Sequence, residues 1–166
     1  MIINFKQLPS NARLWVYQSD RPITAEESDK IQAQMHTFLT QWAAHGKDLN
    51  AGFEIKHQHF LLLALDEQQA AASGCSIDAF VNFITQMGLA LNIDFFQRTN
   101  IAFWQDDHVE LRSLQSIKKL VLTGELSSDV LFFDNSISTL GQLDSEWLMK
   151  PQDTWLKKYF PAAENV

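Results

Sequence analysis

One cysteine, six glycines, four prolines and a shortage of basic residues set the first limits on this chain of 166 residues. A lone Cys75 cannot close an intrachain disulfide, which removes the usual reason to expect an exported, stapled fold. The few glycines and prolines gather into no tract, and no repeat or low-complexity linker marks a domain boundary. Lys and Arg number 13 against 20 Asp and Glu, a net charge of -7. Phosphate contacts need clustered cations, so nucleic-acid binding is not expected. The opening Met-Ile-Ile-Asn-Phe-Lys lacks the basic-then-apolar order of a signal peptide, and no stretch is expected to reach bilayer length. These absences point to a cytoplasmic protein with no membrane partner.

Apolar and aromatic residues are plentiful: 46% of the chain is hydrophobic, with 12 Phe and 5 Trp, enough at this length to build one core. Leu14 and Val16 alternate with Trp15 and Tyr17, so Arg13 to Gln18 reads as a strand. Thr24 and Glu27 have capping-box spacing and start a helix whose face carries Ile31, Met35, Phe38, Leu39 and Trp42, with Gly46 as its expected stop. Phe53 and Ile55 alternate with Glu54 and Lys56 as a half-buried strand. Phe60 to Leu65 is apolar on both faces, the pattern of a central strand. Ser73-Gly74-Cys75-Ser76 opens a second helix through Phe80, Val81, Ile84, Met87 and Leu91. Ile101 to Trp104 and Val109 to Leu111 form strands turned at Asp106-Asp107. A short helix to Val121 and a strand from Val130 to Phe133 follow.

This order predicts one α+β domain over residues 1–166 with a ferredoxin-like split βαβ sheet (βαββαβ) in the core, about 1–112. An added hairpin strand and a C-terminal helical and strand extension, about 113–166, complete it. Two helices then cover one sheet face, and the extension or a partner covers the other. Leu143, Trp147, Leu148, Trp155, Leu156, Tyr159 and Phe160 give the extension an apolar load that demands burial.

Trp15-Val-Tyr-Gln-Ser19, Gln41-Trp42 with His45-Gly46, Phe53-Glu-Ile-Lys56 and, most specifically, Ala72-Ser-Gly-Cys-Ser-Ile-Asp78 carry a resemblance over almost the whole chain. The chain resembles an uncharacterised family of Bacteroidetes proteins often labelled "ABC transporter ATPase". That label implies a phosphate loop, Gly-x-x-x-x-Gly-Lys-Ser/Thr, whose amides cradle phosphates and whose hydroxyl reaches magnesium. The only Gly-Lys here is Gly46-Lys47, followed by Asp48 and preceded by Gln41 where the first glycine belongs. Nucleotide hydrolysis is therefore not expected, and neither is a cofactor.

The candidate site residues are Gly74, Cys75, Ser76 and Asp78, with His45 as a companion. A thiol at a helix start can be activated, and free amides there favour an anion. The structural reading makes Ser76 the cap, Asp78 the dipole partner, Gly74 the turn and Cys75 a small buried hydrophobe beside Ala70-Ala71-Ala72. His45 falls in register with Ile31 and Phe38 on the apolar face of the first helix. The end of that helix and the start of the second share one end of the sheet, which brings His45 and Cys75 toward each other as a base and nucleophile. His57 and His59 form a His-x-His pair without a third metal ligand nearby, so a polar hairpin tip and no metal is the expectation. Arg21 and Arg98 either receive an anion together or pair with carboxylates such as Asp20 and Asp94. Two functions remain open: a non-catalytic binding, regulatory or self-association module with a protein partner or second copy, or a small cysteine-dependent enzyme using Cys75 and His45 on a small anion.

Overall fold

A computed structural model of the chain describes residues 1–161. The elements in order are β1 (Arg13–Gln18), α1 (Ala25–Gln41), β2 (Ala43–Ala44), β3 (Lys47–Asp48), β4 (Asn50–Lys56), β5 (Phe60–Asp66) and α2 (Gly74–Leu91). There follow β6 (Asn100–Gln105), β7 (His108–Ser113), α3 (Ile117–Leu122), β8 (Leu131–Phe133), α4 (Gln142–Ser145), β9 (Leu148–Met149) and a 3-10 turn at Trp155–Tyr159. The fold is mixed α and β with antiparallel sheets.

The first sheet has the order β1-β5-β4, and central β5 explains the layers on either side. Successive strand residues point to opposite faces. Leu61, Leu63 and Leu65 therefore join Ile31, Met35 and Leu39 of α1 and Phe80, Ile84 and Met87 of α2 in one core cluster. Phe60, Leu62 and Ala64 point the other way, onto Ala102, Val109 and Phe133 of a second sheet and Trp147 just before its last strand. That sheet has the order β7-β6-β8-β9. Its far face holds Phe103 and Phe132, covered by Ile117 of α3 and by Leu156 and Phe160. Of the apolar load of the C-terminal segment, Trp147, Leu156 and Phe160 are thus buried within the same chain, while Leu148 and Trp155 stay exposed.

Three expectations need correction. In a ferredoxin-like order β6 would complete the first sheet at the outer edge of β1, whereas it pairs with β7 and β8 in the second sheet. The chain leaving α2 reaches that edge first: Phe95 buries among the helices and Phe96 bridges Gln18 before β6 begins. The second correction concerns α1, which ends at Gln41 with Trp42 as C-cap. Ala43 to Asp48 then form the hairpin β2-β3, turned by His45 (φ 51°) and Gly46 (φ 76°). Two consecutive positive φ values are the mark of a type I′ turn, so Gly46 serves a hairpin and not a helix stop. Third, α2 is by length and composition alone long and apolar enough to cross a membrane, contrary to the expectation that no stretch is. Here one face, with Phe80, Ile84, Met87 and Gly88, is buried against the first sheet and α1, while Leu89 is exposed.

Candidate functional site

The start of α2 is built differently from the sequence reading. Ser73, not Ser76, is the N-cap: Ser76 N–H donates to Ser73 Oγ at 3.1 Å, and Ser73 N–H donates to Ser76 Oγ at 2.8 Å. This reciprocal pair is a capping box in which a serine stands where Glu or Gln is usual. Ser76 is buried, and its carbonyl accepts from Trp42 Nε1 at 2.9 Å. Gly74 is the first helical residue, with open space where a Cβ would stand, and Asp78 lies beyond the first turn. Cys75 is exposed, against the expectation of burial. One residue turns a helix by about 100°, so Ser76, which continues the seam of Phe80 and Ile84, puts its neighbour outside.

His45 is also exposed, at the tip of the β2-β3 hairpin and off the face of α1 that carries Ile31 and Met35. The ends of α1 and α2 do meet, through Trp42 and Ser76, but no hydrogen bond joins His45 to Cys75 among the described residues. Asp106 and Asp107 form another tight turn, at φ 51° and 61°, and His108 bonds Glu110 at 2.5 Å. That pairing and the Asp106 carbonyl hold the His108 imidazolium above its usual range, the backbone bond contributing most.

Both members of the His-x-His pair sit in the β4-β5 turn. His59 is buried with Nδ1 3.1 Å from the His57 carbonyl oxygen. The His57 ring rests among Trp104, Phe133, Trp147 and Phe60, with centroids 5.0 to 6.4 Å away. Burial lowers the basicity of both rings. Among the described residues no three His, Cys, Asp or Glu side chains gather as a metal site would require.

Arg21 pairs with Glu27, not with Asp20 or Asp94: Nη1 meets Oε1 at 2.9 Å and Nη2 meets Oε2 at 2.6 Å. Arg21 also donates to the carbonyls of Leu91 and Asn92, tying α1 to the C-terminus of α2. It is therefore committed. Arg98 is exposed and forms no ion pair among the described residues.

A larger concavity lies elsewhere, along the outer edge of β1 between the two sheets. This cleft of about 880 Å³ is lined by Trp15, Val16, Tyr17, Phe96, Arg98 and Trp155, with Asn135 at its base. Such a volume is in the range that takes a small molecule or a few residues of peptide. Its backbone is unusual. Leu14 N–H donates outward to the Ser138 carbonyl at 2.9 Å and Leu140 N–H donates to the Ala12 carbonyl, so residues 138–140 pair with the first half of β1. Outward and inward groups alternate along an antiparallel strand, so the amide and carbonyl of Val16 also point outward. Neither has a backbone partner among the described residues. At the far end, Gln18 is held by Asn135 Nδ2 at 2.9 Å and donates to the Asn100 carbonyl at 3.1 Å. Trp147 Nε1 in turn donates to Asn135 Oδ1 at 3.0 Å. This relay fixes the cleft wall to both sheets.

None of Gly74, Cys75, Asp78 or His45 lines this cleft, or a shallower apolar groove of about 690 Å³ between Phe38, Trp42, Ala79 and Phe83. Sequence reasoning passed over Val16, Asn135 and Trp155 because an open strand edge has no residue signature. It is created by what pairs on either side. Compared with family models, curated proteins and solved structures, the chain matches none.

Proposed function

We propose that the chain is a non-catalytic binding module of the cytoplasm that takes an extended, peptide-like ligand bearing a carboxylate in the cleft beside β1. The observation carrying this reading is the outward amide and carbonyl of Val16, which have no backbone partner among the described residues, between the Leu14 amide taken by Ser138 and the bridge of Gln18 to Phe96. An extended ligand supplies the matching carbonyl and amide, as in recognition by strand addition. Arg98, which forms no ion pair among the described residues, offers a charge for the ligand's acid, and Trp15, Tyr17 and Trp155 offer apolar walls. The unit β1-α1-β4-β5-α2 is read as a ferredoxin-like arrangement whose last strand has been diverted to the second sheet. A proposed place in the Bacteroidetes family is supported by Trp15 to Ser19, Gln41-Trp42 with His45-Gly46, Phe53 to Lys56 and, most specifically, Ala72 to Asp78. Cys75 is open to solvent, which favours reactivity, but a thiol enzyme also needs a base, and His45 is not bonded to it.

The test is a titration of the isotopically labelled protein with short extended peptides ending in a free carboxylate, followed through backbone amide shifts. Saturable changes at Val16, Arg98 and Asn135 are expected, and those at Arg98 and Asn135 should be lost in Val16→Pro, which removes an outward N–H without removing a ladder bond to β5. Absence of saturable shifts, or shifts indifferent to Val16→Pro and Arg98→Ala, rejects the reading.

A further inference from the structure

The second sheet ends on β7, whose outer edge pairs with no other strand among the described residues. The direction of its backbone groups follows from the hairpin. Gln105 and His108 close the two-residue turn at Asp106-Asp107, so His108, Glu110 and Arg112 bond to β6. The Leu114 N–H, which donates to the Thr99 carbonyl at 2.8 Å, continues the same alternation. Val109, Leu111 and Ser113 therefore turn their amides and carbonyls outward. The Ser113 carbonyl accepts from Ser116 Oγ at 2.8 Å, while Val109 and Leu111 keep outward groups without a backbone partner among the described residues, a template for another strand.

We propose that β7 pairs antiparallel with β7 of a second copy about a twofold axis through Leu111, joining two four-stranded sheets into one. The register is selected by charge. Outward residues must meet outward residues, so the axis passes through a residue and not between two. An axis at Glu110 opposes two carboxylates, and one at Arg112 opposes two guanidinium groups. An axis at Leu111 sets Glu110 opposite Arg112 of the second copy, twice, on one face of the sheet. Directly opposite ions of unlike sign favour a register, and like ions oppose it. Among the described residues Arg112 has no carboxylate partner, and its buried Nε finds no hydrogen-bond acceptor. Glu110 is partly exposed, and among the described residues its carboxylate bonds to His108 alone. This surface lies apart from the cleft and stands independently of the peptide-binding reading.

Two single variants and their mixture provide the test, measured by sedimentation equilibrium with circular dichroism as the folding control. Wild type is expected to dimerise. Glu110→Arg and Arg112→Glu each turn two attractions into two repulsions and should weaken self-association roughly tenfold or more. Mixed in equal amounts, one chain presents two cations at 110 and 112 and the other two anions, so a heterodimer should form more tightly than either homodimer. The mixture thereby shows that both variants are folded and that only the pairing was at fault. A wild type that stays monomeric over its soluble range, single variants that dimerise like wild type, or a mixture no tighter than its components each overturns the proposal.

Discussion

Trp42 Nε1 donates a 2.9 Å hydrogen bond to the carbonyl oxygen of Ser76, joining the C-cap of α1 to the first turn of α2. Both residues are buried, so the bond is shielded from water. It fixes the rotation of α2 about its axis. With Ser76 turned to the core, Cys75 faces out, and the chemistry read for the helix start changes with that rotation.

An exposed thiol reacts without unfolding. Native Cys75 is expected to be alkylated by iodoacetamide at a rate within a few-fold of the denatured protein, and Cys75→Ser to change stability by less than about 0.5 kcal/mol. Strong protection in the native state, or a large stability loss in the serine variant, would place the thiol in the core after all.

The relay from Trp147 through Asn135 to Gln18 bridges the two sheets. Asn135→Ala leaves the indole N–H and the Gln18 amide oxygen without their partners, and Gln18 is buried. An unsatisfied buried polar group costs about 1–3 kcal/mol, so a loss of about 2 kcal/mol is expected in urea unfolding. Ser136→Ala, next in sequence but exposed, should lose far less. Equal losses would mean that the relay contributes nothing specific.

Hydrogen bonds from Arg21, and then from the Thr24 backbone, hold the Glu27 carboxyl down at about 2, against 4.5 for the free group. Because the folded value is the lower one, this stabilisation is complete above about pH 4.5 and is lost as pH falls toward 2. Arg21 is 35% exposed, and solvent screening there reduces the effect to about 1 kcal/mol. Unfolding measured across this range should show Glu27→Gln less stable than wild type at neutral pH, with the gap closing in acid. A gap independent of pH would show that the carboxylate charge is not the source.

Local order alone determined much of this protein. The alternation in Arg13 to Gln18, the doubly apolar run Phe60 to Leu65 and the Thr24/Glu27 capping box each encode an element that the structure contains. Period and cap are properties of adjacent residues, so they are readable one segment at a time. The end of α1 was not legible, because Trp42, Ala43, Ala44 and His45 suit either a helix or a strand. The buried ring of Trp42 and the paired hairpin beyond it settle which. The destination of β6 and the outward face of Cys75 were beyond the sequence for a related reason. A strand's apolar pattern says that it needs a sheet but not which one, and a helix's pattern leaves its rotation uncertain by about one residue. Tertiary structure made those choices: Phe95 buried among the helices, Phe96 bridged Gln18 at one end of the β1 edge, residues 138–140 took the other end, Trp42 took the Ser76 carbonyl, and β6 and Cys75 were placed by what remained.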